Sequence, residues 1–438
     1  QASSAVAIGN GSGNISQADF AVALGYQSGQ FSQGNSAIAI GHQSGQYSQF
    51  NTAVAIGYQS GQSNQGNSAV ALGFQCGQIS QGYNGIAIGV EAGQYLQGNN
   101  SIAIGAVAGM TGQSDAAIAI GNAAAIVSQG TQAIAIGVIA GQNNQSPYAI
   151  AIGLSCATDS QGFNAIAIGN AAAANNQGQS AIAMGYRAGS SGQGQNAVAL
   201  STFAGYTNQG TNSVAIGANS GNQSQGVSAV ALGDSAGNYL QGQNSVAIGY
   251  QAGYTSQAIE CVAIGDGAGR FGQLVSGVAI GQNAGQNNQG TNSVAIGVNS
   301  AVNSQGASAV AIGQSAGSID QHAAAVAMGY FAGANTQGSN AIAIGLGAGT
   351  NIQGQDGVAI GHDAGANNQG SYAIAIGYQA GNPSQQGTAI AIGYQAGVGL
   401  QGTSSVAIGY QAGNNTQNQN AIAIGTSAGQ YSQGPQSI

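Results

Sequence analysis

Charged residues are scarce in this chain, and their scarcity argues against several classes of function. Only 3 % of the 438 residues are Asp, Glu, Lys or Arg, Lys is missing altogether, and the two bases are Arg187 and Arg270. Proteins that bind the phosphates of DNA or RNA rely on several Lys or Arg side chains, so nucleic acid is not an expected partner. The net charge of −8 is spread thinly, without an acidic tail or a basic patch.

Long apolar runs and pairable cysteines are also missing. A transmembrane helix needs roughly 20 apolar residues, whereas the recurring apolar motif has about four, so membrane insertion is not expected. No signal peptide or anchor is recognisable in the segment. Cys76, Cys156 and Cys261 stand where comparable positions hold Ala, Ser or Gly. We therefore predict that all three are small buried residues rather than disulfide partners.

What the chain does contain is a strict repeat of sixteen residues. When Gln1 is counted as position 1, position 1 is Gln in all 28 units, up to Gln433. Position 6 is Val or Ile, position 7 is Ala, position 8 is Ile, Leu or Met, and position 9 is Gly except at Ser201. Uninterrupted periodicity of this kind indicates a repeat architecture rather than a series of globular domains.

Each repeat has the pattern of a short strand. Positions 4 to 8 are β-branched and alternating, between Gly and polar residues, which predicts a strand; we place a second one at positions 10 to 12. Gly at positions 2, 9 and 13 marks corners, where positive φ or close backbone approach favours it. One repeat cannot bury its own apolar side, so stacked repeats should form a parallel β-solenoid.

The predicted fold is therefore all-β, with one sixteen-residue repeat per coil. We expect about 27 coils in a single continuous solenoid over residues 1–438, without distinct caps. At the ~4.8 Å spacing between strands, such a coil would be a rod roughly 130 Å long.

Both faces of the predicted strand are restricted in composition. Positions 6 and 8 share one face and are aliphatic, while positions 5 and 7 share the other and are small. The sequence leaves open which face lines the coil. In either case we expect self-association. Outward Val and Ile would require it, because the apolar area of such a long strip is larger than a soluble monomer normally exposes.

We call the stacked columns that should hold the coils and their assembly together the assembly ladder, and we describe it by the residues of one repeat. Its strand is Val246, Ala247 and Ile248, followed by Gly249 at the corner. Stacked Gln amides can bond to one another along the axis or to backbone groups at the corner. The ladder therefore includes Gln241 and Gln257.

The motif Asn-Ser-Val-Ala-Ile-Gly at residues 244–249, repeated at 212–217 and 292–297, resembles the head repeats of YadA-like trimeric autotransporter adhesins. Related repeats are similar to those of viral and phage fibres. The resemblance implies a left-handed parallel β-roll, a trimer, and an adhesin or fibre on a cell surface or virion.

Catalytic and metal-binding patterns are weak. The ten acids share no column on adjacent turns, and His42, His322 and His362 are isolated. Acid–base catalysis needs paired titratable groups, and a metal site needs clustered ligands. We expect no enzyme activity, no cofactor and no metal.

Position 10 is the candidate binding face, because aromatic residues recur there on successive turns. Rings at this spacing either stack on one another or bind sugar rings or a neighbouring fibre. The candidate residues are Tyr26, Tyr58, Tyr378, Gln379, Tyr394, Gln395, Tyr410 and Gln411.

The sequence therefore favours a stiff structural fibre that self-associates laterally, with end-to-end association as a further alternative. Its expected location is outside the cell, on its surface or on a virion. The alternative is an adhesin that holds glycan or a surface through the Tyr and Gln ladders. A third hypothesis is ice binding by a flat ladder, although outward Thr columns are missing.

Overall fold

A computed structural model describes residues 2–438, so Gln1, the first member of the Gln column, lies outside the described residues. The chain divides into two compact units, Gln1–Asn219 and Ser220–Ile438. In each unit the chain forms a parallel β-solenoid with sixteen residues per turn, which confirms the predicted fold class. The continuity of a single solenoid across residues 1–438 stays a prediction, as does its left-handedness.

Almost every turn of the coil contains two short strands; at Gln369 the second is reduced to isolated bridges. The first, here called the motif strand, covers positions 6 to 8; the second, the glutamine strand, covers position 15 to position 1 of the next repeat. Motif strands pair in parallel and in register with the strands sixteen residues away, as Val246 does with Val262 and Ala247 with Ala263. This register places equal positions of successive repeats above one another, in ladders.

The motif strands of the first unit are Val6–Ile8, Val22–Leu24, Ile38–Ile40, Val54–Ile56, Val70–Leu72, Ile86–Ile88, Ile102–Ile104, Ile118–Ile120, Ile134–Ile136, Ile150–Ile152, Ile166–Ile168, Ile182–Met184, Val198–Leu200 and Val214–Ile216. Those of the second unit are Val230–Leu232, Val246–Ile248, Val262–Ile264, Val278–Ile280, Val294–Ile296, Val310–Ile312, Val326–Met328, Ile342–Ile344, Val358–Ile360, Ile374–Ile376, Ile390–Ile392, Val406–Ile408 and Ile422–Ile424.

The glutamine strands of the first unit are Ile15–Gln17, Phe31–Gln33, Tyr47–Gln49, Ser63–Gln65, Ile79–Gln81, Tyr95–Gln97, Thr111–Gln113, Val127–Gln129, Asn143–Gln145, Asp159–Gln161, Asn175–Gln177, Ser191–Gln193 and Thr207–Gln209. Those of the second unit are Gln223–Gln225, Tyr239–Gln241, Thr255–Gln257, Phe271–Gln273, Asn287–Gln289, Asn303–Gln305, Ile319–Gln321, Thr336–Gln337, Ile352–Gln353, Pro383–Gln385, Gly399–Gln401 and Thr416–Gln417.

The prediction of a second strand at positions 10 to 12 is wrong. Positions 9 to 13 form a turn instead, and the second strand begins two residues later. Positive φ at position 9 (+123° at Gly249) and position 13 (+53° at Gly253) bends the chain between them. The sequence did not reveal the true second strand, because its first two positions vary between apolar and polar residues and give no regular apolar alternation.

The core of each unit consists mainly of alanine and glutamine. Ala247 of the motif strand and Ala252 of the following turn are fully buried and belong to one continuous alanine cluster in the second unit. Similar alanine clusters line the first unit. The coil is narrow, because a Cβ added to Gly253 would lie 3.3 Å from the Cβ of Ala247. Among residues 2–438 there is no helix of the length and apolarity that crossing a bilayer requires.

Candidate assembly and ligand surfaces

The two faces of the motif strand have opposite environments. Ala247 points into the coil and is fully buried, whereas Val246 and Ile248 point outward and are only partly covered. The same pattern holds along both units, and Leu232 and Ile280 expose 41 % and 36 % of their surfaces. The structure therefore decides the question that the sequence left open: the small face lines the coil.

Outward Val, Ile, Leu and Met side chains at positions 6 and 8 form what we call the aliphatic strip of each unit. With thirteen motif strands in the second unit and ~4.8 Å between strands, its strip is about 60 Å long and two side chains wide. Its footprint, on the order of 400 Å², is as large as the largest apolar patch of an ordinary monomer. An aliphatic surface of this regularity is typical of an interface.

The Gln column lies inside the coil. Gln241 and Gln257 are buried, and the side-chain Nε2 of Gln257 donates to the backbone carbonyl of Val246 at 3.0 Å and to Oε1 of Gln273 at 3.1 Å. Gln241 donates in the same way to Val230 and to Gln257, at 2.8 and 3.2 Å. Each amide thus fixes the backbone of a motif strand and also links neighbouring turns.

Gly249 occupies the corner between the motif strand and the turn. A Cβ at this position would lie 2.7 Å from the carbonyl oxygen of Gly265 on the next turn. The corner therefore combines positive φ with close contact between successive backbones. Both conditions favour glycine, in agreement with the Gly column at position 9.

In the first unit the aromatic residues of position 10 stack on one another. The rings of Tyr26, His42, Tyr58 and Phe74 have centroids 5.0, 5.0 and 5.2 Å apart, with interplanar angles of 10–23°. The interior ring faces are therefore covered by neighbouring rings, and the ring edges face solvent. Tyr26 and Tyr58 remain 46 % and 43 % exposed.

The second unit repeats this arrangement near its end. Tyr378, Tyr394 and Tyr410 stack with centroids 5.0 and 5.1 Å apart. Beside them the amide of Gln395 donates to Gln379 at 3.0 Å, and that of Gln411 donates to Gln395 at 3.1 Å. The structure thus brings these six candidate residues together on one surface.

The structure also contains a second glutamine ladder, which was not predicted from the sequence. Gln30, Gln46 and Gln62 at position 14 are linked by amide hydrogen bonds of 2.9 and 3.0 Å, and Gln46 also donates to Gln27 at 3.1 Å. Many residue types occur at position 14 over the whole chain, so the column as a whole does not indicate a ladder. Gln does recur there in five successive early repeats, and this local pattern could have predicted the ladder. Gln78 and Gln94 continue it through further amide hydrogen bonds.

The buried thiols have no partners for redox or metal chemistry. Burial raises the pKa of Cys76 and of Cys156 to about 12, and burial also raises the pKa of Cys261. All three are free and buried, as predicted. Within residues 2–438, no group of three or more His, Cys, Asp or Glu side chains is positioned to hold a metal ion.

The family model of the YadA head domain repeat matches residues 160–188, 209–220, 241–253, 289–316, 353–380 and 387–412. No curated protein matches the chain. The matched segments and the β-solenoid together confirm that these repeats resemble YadA head repeats.

Proposed function

We propose that this chain is a structural repeat protein of an exposed surface, whose copies associate through their aliphatic strips into a stiff fibre. The main support is the orientation of the motif strand, with Ala247 inward and Val246 and Ile248 outward. Burial of apolar surface contributes roughly 25 cal/mol per Å², so a regular strip favours association with a matching surface.

A second copy is the simplest surface that matches the strip. Every copy carries the same strip with the same ~4.8 Å spacing, so parallel copies in register place equal rungs side by side. The YadA-like character of the repeats favours three copies and an exposed location. In such an assembly the alanine and Gln ladders stiffen each coil, and the strips join the coils.

The experiment is sedimentation velocity on two triple variants. Ile248→Lys, Ile264→Lys and Ile280→Lys place charges on three adjacent rungs of the strip. In a parallel assembly equal charges would meet on each rung, so we expect dissociation to single chains.

The matched control carries the same three lysines on the variable position 3 of nearby rungs: Gln243→Lys, Ile259→Lys and Val275→Lys. These side chains are exposed, so the control should sediment as the unmodified chain does. A strip variant that keeps the full assembly mass would refute the proposed interface.

A second candidate function is adhesion, and the stacked Tyr–Gln surfaces support it. Their side chains are held in place by ring stacking and amide hydrogen bonds before any partner arrives. Preordered side chains lose little entropy on binding. Beads coated with the chain should attach to cell monolayers, and beads coated with a Tyr378→Asn, Tyr394→Asn, Tyr410→Asn variant should attach less.

A further inference from the structure

We propose that the Tyr–Gln surface of residues 26–78 and its counterpart at residues 378–411 bind an extended, uncharged polysaccharide lying along the ladders. This proposal rests on the adhesive candidate function above and names the chemistry of its ligand. It depends on four features of the structure: the covered ring faces, the unused hydrogen-bonding capacity of the amides, their fixed positions, and the local absence of charge.

The ring faces decide how a sugar can be held. Within each ladder the rings stack at 5.0–5.2 Å, so no sugar ring can insert between them. What remains accessible is the row of ring edges, since Tyr378, Tyr394 and Tyr410 are 37 %, 44 % and 51 % exposed. A ligand that uses this row must run along it and contact several turns in succession.

The Gln side chains have N–H donors and oxygen lone pairs that their hydrogen bonds to one another do not use. These groups would stay unsatisfied in an interface without water. A Gln side chain has two N–H donors and an oxygen with two lone pairs. Gln43 donates one hydrogen to Gln27 at 3.0 Å and accepts one from Gln59 at 2.9 Å. A polyhydroxyl chain can satisfy the capacity left over, whereas the apolar surface of another protein cannot.

The side chains are also fixed before binding. Gln46 joins the two glutamine ladders, because it donates both to Gln27 and to Gln30. Ordering a free side chain on binding costs about 0.5–1.5 kcal/mol, and ladders that are already ordered avoid most of that cost. Weak contacts repeated on each turn can therefore add up along a polymer.

The absence of charge selects the type of polysaccharide. No Asp, Glu, Lys or Arg lies between residues 20 and 90 or after Asp363. The nearest charges in line with the ladders are the carboxylates of Glu91 and Asp363, each one turn beyond the end of a Gln column, and they would repel an acidic polymer. Acidic polysaccharides are recognised by basic side chains, and the two bases of the chain, Arg187 and Arg270, belong to neither surface. Neutral polymers are thus the matching class.

The test is co-sedimentation of the full chain with microcrystalline cellulose and with insoluble mannan, in parallel with binding to immobilised alginate as the acidic polymer. The ladder variant replaces Tyr26, Tyr58, Phe74, Tyr378, Tyr394 and Tyr410 with Asn. The column accepts Asn on other turns, as at Asn10, Asn122 and Asn170, so the fold should tolerate the change.

The control variant is Tyr250→Asn. Tyr250 is also exposed and also precedes a Gln, but its neighbours in the column are Asp234 and Asp266, so it belongs to no ladder. We expect a neutral polymer to retain the unmodified chain and the control equally. The ladder variant should bind about tenfold more weakly or worse, as expected for the loss of several hydrogen-bonding contacts.

Four outcomes would overturn the proposal. They are retention on alginate alone, no retention on any polymer, equal retention of the ladder variant, and a lower assembly mass of that variant in sedimentation velocity. The last would make the ladders a contact between copies of this chain. Attachment of coated beads to cells without retention on any neutral polymer would contradict this inference while leaving the adhesive role in place.

Discussion

The side-chain amide of Gln257 donates to the backbone carbonyl of Val246 over 3.0 Å, so a buried polar group holds the strand that exposes an aliphatic surface. This arrangement reverses the usual one, in which aliphatic side chains fill the core. It has direct consequences for substitutions on the two faces of the strand and for the ladders behind it.

Substitutions on the two faces of one strand should separate folding from assembly. Ala247→Glu buries an unpaired carboxylate, which we expect to cost about 3–5 kcal/mol and to open the neighbouring turns. Val246→Glu places the same group outside, so it should leave the coil intact and weaken association. Hydrogen exchange over residues 241–275 measures the first effect and sedimentation velocity the second. Equal protection in both variants would contradict the inward placement of Ala247.

Removal of one rung of the Gln column should loosen the coil locally. Gln257→Leu keeps the approximate volume but leaves the carbonyl of Val246 without its side-chain donor, at a cost of about 1–3 kcal/mol. Hydrogen exchange should rise in the turns on either side, because repeats contact mainly their neighbours. The control is Gln251→Leu, on the partly exposed turn of the same coil, where protection should stay unchanged. Similar losses in both variants would argue against a special role for the buried column.

Ser201 is the exception in the Gly column, and its replacement should stabilise the chain. Its φ of 110° lies in a region that residues with a side chain rarely adopt. Strain of this kind costs of order 1–3 kcal/mol, so Ser201→Gly should increase protection over residues 198–216. The reverse change, Gly249→Ser, should decrease protection, since its Cβ would approach the carbonyl oxygen of Gly265. No gain from Ser201→Gly would mean that the corner tolerates a side chain without strain.

The buried thiols should resist alkylation in the folded chain. Burial raises the pKa of Cys76 and Cys156 from 9.0 to about 12, and the thiolate is the reactive form. At pH 8 iodoacetamide should therefore label neither residue until denaturant is added. An exposed control, Asn35→Cys, should react rapidly under the same conditions. Fast labelling of the native thiols would show that the coil opens at these turns.

The same pKa shifts predict a loss of stability in alkali. Above about pH 9 the unfolded chain releases its thiol protons, while the folded chain keeps them up to about pH 12. The folded state then binds more protons than the unfolded state, so stability falls as pH rises through this window. Replacing Cys76 and Cys156 with Ala should flatten that part of the stability profile. An unchanged slope would show that other groups cause it.

The sequence by itself determined the repeat length, the parallel stacking of one repeat per coil, and the buried state of the cysteines. The repeat length and the stacking follow from columns such as Gln1 to Gln433, because a position that never varies over 28 repeats must have a constant environment. The burial of the cysteines follows from the small residues that other repeats hold at the same positions. The stacked aromatic rungs were also among the alternatives that the sequence offered. The second strand was misplaced, because no apolar alternation marks it. Backbone pairing and the buried Gln amides hold it in place.

Only the tertiary structure decided which face of the motif strand lines the coil. Alternation along Val246, Ala247 and Ile248 separates two faces, but both are invariant in character, so the pattern cannot assign the inside. The assignment depends on the width of the coil. Gly253 and the amide of Gln257 approach the motif strand so closely that an Ala side chain fits between them and a larger one does not. The aliphatic side chains therefore point outward, and the surface available for assembly follows from that packing limit.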